Sequence, residues 1–85
     1  PAAAFSARMN HTSLIFNSEM WVIGGNDGAR RRDVWSSADG VTWTQVTPAA
    51  AFTARISHTS LVFNSKMWVI AGDDLVRKND VWFSP

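Results

Sequence analysis

A chain of 85 residues makes one small domain and buries a limited share of its surface. It has no cysteine, so no disulfide staples it and its redox compartment stays open. Eight basic against seven acidic residues leave a net charge of +1; the pI near 9.0 reflects a slight surplus of arginine, and nucleic acid is not expected as a partner.

Taken in order, the opening Pro1-Ala2-Ala3-Ala4-Phe5 has neither the charged start nor the long apolar core of a secretory signal. No apolar run approaches the ~20 residues of a membrane-spanning helix, so a soluble chain with no membrane partner is expected. The stretch His11 to Gly25 predicts two strands, over 12–16 and 20–24. Leu14-Ile15-Phe16 and Met20-Trp21-Val22-Ile23 are too short for helices and rich in β-branched and aromatic residues. Both runs are apolar on both faces, as suits strands sandwiched between neighbouring sheets. Asn17-Ser18 falls where a two-residue turn needs positive φ, and Gly24-Gly25 ends the second strand where the backbone bends or packs closely.

Asn26-Asp27-Gly28 opens a polar loop that is expected to carry Arg30, Arg31 and Arg32. A third strand follows over 33–36, then an Asp-Gly turn at Asp39-Gly40. A fourth strand is expected over 41–47, where Thr42 and Thr44 alternate with Val41 and Trp43 as on a half-exposed outer strand. Pro48 starts a long connection to Arg55, in which the alanine run allows a single helical turn.

The chain then repeats itself. Laid over Pro48–Pro85, Pro1–Ala38 matches at 25 of 38 positions, a period of 47 residues. Five of the thirteen differences fall at Asn26, Gly28, Ala29, Arg31 and Arg32, which is a constant frame with a drifting loop. The second unit places strands over 58–63, 67–71 and 80–83, with Gly72 closing the middle one. Two units of this period would take 94 residues, so the expected division is 1–47 for a whole first unit and 48–85 for a second without its outer strand.

Four antiparallel strands in 47 residues is the arithmetic of a β-propeller blade. Arg8-x-x-His11, the apolar hairpin, Gly24-Gly25, Asp33-Val34-Trp35 and Trp43 resemble the kelch repeat, over nearly the whole chain and in two copies. Ala71 departs from its paired glycines, and Trp21 and Trp68 stand where that family often has Tyr. The resemblance implies an all-β fold of one complete and one incomplete kelch-like blade. Ser37-Ala38-Asp39-Gly40-Val41-Thr42-Trp43 is similar to the Asp-box of sialidases, one residue short between Asp and Gly. That likeness implies a structural role for Asp39 and Trp43.

His11 and His58 recur once per unit without the Cys, His or carboxylate neighbours a metal site requires, and are expected to be structural. Arg8 and Arg55 also recur. In some kelch propellers arginines of this connection resemble an anion-binding ring, and planar forks suit carboxylates; the other reading is an arginine bonded to loop carbonyls. Arg30, Arg31 and Arg32, with Arg77 and Lys78 in the second unit, are either a solvated loop or a patch for a partner. Galactose oxidase, whose propeller is similar, uses a Tyr–Cys copper cofactor, and sialidases use a Tyr nucleophile; this chain has no Tyr and no Cys.

The expectation is therefore a non-catalytic module without cofactor or metal, binding a protein or peptide through its loop face. The alternative is a blade pair of a carbohydrate-binding or carbohydrate-active propeller with its catalytic residues elsewhere. Apolar sheet faces and an uncovered strand 80–83 further predict a homo-oligomer, either a dimer pairing edges across a two-fold or a ring of two to four chains.

Overall fold

The computed structural model describes residues 3–84; Pro1, Ala2 and Pro85, at the ends of the two expected units, lie outside the described residues. The chain is all-β, in two antiparallel sheets that follow chain order. The first contains β1 (Thr12–Phe16), β2 (Glu19–Asn26), β3 (Arg30–Ser37) and β4 (Thr44–Thr47). The second contains β5 (Thr59–Phe63), β6 (Lys66–Asp73) and β7 (Arg77–Phe83). One sheet of four strands and one of three are consistent with blade-like sheets.

Each hairpin turns as its residues dictate. Asn17 and Ser18 take φ of 53° and 61°, and Asn64 and Ser65 take 55° and 60°, the left-handed pair that matches strand twist in a two-residue turn. Directly opposite in the register, Leu14 meets Trp21 and Leu61 meets Trp68. The indole of Trp21 reaches back to donate to the Phe16 carbonyl at 2.9 Å, and that of Trp68 to Phe63 at 2.8 Å. The register of β2 against β3 slips between Ile23 and Gly25, and that of β6 against β7 between Ile70 and Gly72. These bulges bend the end of the middle strand and bring the incoming connection alongside it. Met9 bridges Asn26 there, as Ile56 bridges Asp73.

Four expectations need correction. β3 starts at Arg30, not at 33, because Gly25 and Asn26 of β2 still pair with Arg31 and Arg30, so the arginines belong to a strand. β7 likewise starts at Arg77, pairing with Asp73. β4 starts at Thr44, not at 41: the Val41 and Thr42 amides both donate to the Asp39 carboxylate at 2.8 Å and are lost to the sheet. The alanines after Pro48 make bends and no helical turn, with the Ala50 amide bonded to the Arg32 carbonyl instead.

The core lies between the sheets. Ile23 and Val34 of the first pack on Phe52 and Val69 of the second unit, with Leu14, Trp21 and Ala50 around them. The alternation of side chains puts Thr12, Leu14, Ile23 and Val34 on one face of the first sheet. Of their counterparts one period on, Thr59, Leu61 and Val81 lie uncovered: Val34 is 9% exposed and Val81 53%.

Candidate functional site

Two buried arginines organise the end of each sheet. Arg8 spends all five guanidinium donors inside the molecule. Its two terminal nitrogens grip Asp33 at 2.6 and 3.0 Å; one also donates to the Gly24 carbonyl at 3.0 Å, and the other to the Ser6 hydroxyl at 3.1 Å. Nε completes the set on the Ser6 carbonyl at 3.2 Å. Arg55 repeats the pattern on Asp80, Ala71 and Thr53. The Arg8 and Arg55 side chains are 2% and 1% exposed, and Phe5 and Phe52 lie under the two guanidinium planes. Of the two readings, the geometry fits the arginine bonded within the fold: every donor is committed within its own repeat.

The carboxylates respond accordingly. Burial alone would raise the Asp33 pKa, but hydrogen bonds from Arg8 and Trp35 outweigh it and hold the group below the usual carboxylate range. Arg55, then Trp82, pull Asp80 the same way. Removing one member of so buried a pair as Arg8–Asp33 strands the other, typically at a cost of about 3–5 kcal/mol. These arginines are struts that pin the incoming connection to the bulge.

His58 is the joint between repeats. It is buried, with Nε2 3.0 Å from the Ile23 carbonyl and 2.8 Å from Thr12 Oγ1, both in the first sheet. The carbonyl only accepts, so Nε2 carries the proton. Nδ1 has no partner among the described residues, and burial lowers the pKa, so the ring is neutral at pH 7. Gly24 leaves close quarters here: a Cβ would stand 3.0 Å from the His58 ring and 3.1 Å from the Arg31 carbonyl. Gly25 and Gly72 have a Cβ-sized space closed at 2.9 Å by Met9 and Ile56 carbonyls, at φ of 104° and 105°. His11, the counterpart of His58, is exposed.

The turn Ser37–Trp43 is internally closed. Ser37 is 2% exposed, and its hydroxyl accepts from the Gly40 amide at 2.8 Å. Asp39 holds the next two amides, which lower its pKa, and the Trp43 indole donates to Gly40 and packs edge-on against Phe5.

What remains open is a basic edge at the start of β3 and β7. Arg30 crosses between the repeats, donating to the Asp73 carbonyl at 3.3 Å and lying 3.6 Å from its carboxylate. Asp73 is the register partner of Arg77, so Arg30 and Arg77 share one neighbourhood. Arg31, half-exposed, leans on Asp27, whose carboxyl is held at about 2 by the Ser6 hydroxyl and by Arg31. Lys78 leans on Asp74 at 3.4 Å. Arg32 and Arg77 are exposed and make no ion pair among the described residues. Five basic side chains thus stand against Asp27, Asp73 and Asp74.

Between the sheets lies an apolar cleft of about 260 Å³, lined by Trp21, Ile23, Val34, Phe52, Val69 and Trp82 among others, with little polar surface. Sequence reasoning missed the Arg–Asp struts and the His58 joint. The signal for the former was present: Arg8 and Asp33 recur together, 25 residues apart, as Arg55 and Asp80.

No family model matches the chain, and none of the curated proteins searched matches it.

Proposed function

We propose that this chain is a pair of kelch-like repeats forming a non-catalytic interaction module, and that its basic edge binds an acidic segment of a protein or peptide. The observation that carries this reading is the edge itself. Arg32 and Arg77 lack a carboxylate partner among the described residues, while the neighbouring arginines Arg8 and Arg55 are consumed as struts. A strut buried behind the edge fixes the backbone from which the free cations project, which lowers the ordering cost of binding. Arginine forks pair with carboxylates bidentately, so the ligand class is a run of Asp or Glu. The cleft, with its apolar lining, offers few of the paired polar groups that orient a sugar.

The test is fluorescence anisotropy with a labelled peptide rich in Glu and Asp, against a neutral peptide of equal length. Binding is expected for the acidic peptide alone, weakening as salt is raised. Arg77→Ala and Arg32→Ala should each weaken it about five- to tenfold, in line with loss of one charge-assisted hydrogen bond. Equal binding of both peptides, or affinity unmoved by either substitution, would overturn the reading.

A further inference from the structure

The joint between the two repeats is a finished interface, and the residues of both of its halves recur in the other repeat, where Leu61, Val81 and His11 stand exposed. Within the chain, Thr12, Leu14, Ile23 and Val34 of the first sheet meet Phe52, His58 and Val69 of the second repeat. One period along, the first half returns as Thr59, Leu61, Ile70 and Val81; one period back, the second half returns as Phe5, His11 and Val22. All seven residues are identical in type. Leu61 and Val81 are 41% and 53% exposed, and His11 is exposed, whereas His58 is buried; Ile70 and Phe5 are half-buried, and Val22 is already covered within its own repeat.

We propose that a second copy of this chain covers these faces, seated head to tail. The first repeat of one copy takes the position on its partner's second repeat that the second repeat takes on the first within a chain. His11 then donates to the Ile70 carbonyl of the partner subunit, beside its Thr59, as His58 does to Ile23 beside Thr12. The backbone ladder transfers too. The bonds from Gly25 to the Arg55 carbonyl and from Arg55 to the Arg31 carbonyl, each at 3.2 Å, recur between copies as Gly72 to Arg8 and Arg8 to Lys78. Two positions depart. Asn26 stands in place of Asp73, so Arg77 gains a hydrogen bond where Arg30 has an ion pair. Ala71 stands in place of Gly24, where a Cβ lies 3.0 Å from the histidine ring, so the His11 ring gives way by a few tenths of an ångström. Association between copies is therefore weaker than the joint within a chain and rises with concentration. This joins unlike faces, in contrast to a two-fold dimer that joins like to like. It does not depend on the peptide reading, although both engage Arg77, so its test uses His11 and Val81 alone.

Two variants at exposed positions test it. His11→Asp sets a carboxylate against the Ile70 carbonyl and blocks one face; Val81→Asp blocks the other. Light scattering across a concentration series should give the unaltered chain a mass rising above one chain. Each variant alone should stay at one chain, its association weakened about tenfold or more. An equimolar mixture should recover a mass of two chains and stop there, because each variant keeps one intact half. An unaltered chain that stays at the mass of one chain overturns the proposal. So does a variant that associates normally alone, or a mixture that does not recover. Hydrogen exchange on the unaltered chain needs no substitution: the Arg8 and Gly72 amides should slow about tenfold with rising concentration. Rates independent of concentration at both would equally overturn it.

Discussion

At the scale of single residues, the hydrogen-bonded carboxyls share one direction. Asp33 is depressed despite burial, by Arg8 and Trp35; Asp80 by Arg55 and Trp82; Asp27 to about 2, by Ser6 and Arg31. A carboxyl whose folded pKa lies below its unfolded value of about 3.9 binds its proton more readily unfolded. Its contribution is complete above that value and is lost as pH falls through the folded pKa. His58 acts higher on the scale. Burial keeps its imidazole neutral in the fold, so protonation favours the unfolded chain once pH drops below about 6.5. The midpoint of urea unfolding should thus be level above neutrality, begin to fall below about pH 6.5, and fall more steeply below about pH 4. A midpoint level from neutrality to pH 5 would contradict the buried neutral His58.

At the scale of elements, the bulges explain both what the sequence shows and what it hides. Gly24 takes φ of 62° and Ala71, at the same place in β6, takes 59°. An L-residue there costs about 1 kcal/mol or more. Ala71→Gly should raise stability by up to about 1 kcal/mol, and Gly25→Ala should lower it by more than about 1 kcal/mol, since its Cβ meets the Met9 carbonyl at 2.9 Å. Urea unfolding of the two variants checks this; shifts of the same sign would contradict it.

The apolar hairpins were legible because strand and burial coincide in Leu14–Phe16 and Met20–Ile23. The start of β3 was not, because Arg30 and Arg31 pair by backbone while their side chains carry no apolar alternation. The false start of β4 had the opposite cause: Val41 and Trp43 alternate with threonines like a strand, yet Asp39 captures the amides. The basic residues themselves were visible. Which of them are free was not, since that depends on Asp33 and Asp80 closing over Arg8 and Arg55 from a distant strand.

At the scale of the whole molecule, the second repeat packs against the first through His58, Phe52 and Val69 and leaves a row of cations at one end. The struts and bulges fix the backbone from which those side chains project. The most direct test is to titrate the isotopically labelled chain with an acidic peptide and follow its amide and arginine side-chain resonances. The account predicts the largest shifts at Arg30, Arg31, Arg32, Arg77 and Lys78, with the Nε–H signals of Arg8 and Arg55 unmoved. Shifts centred instead on the Trp21 and Trp82 indoles of the cleft, or no shifts at all, would contradict it.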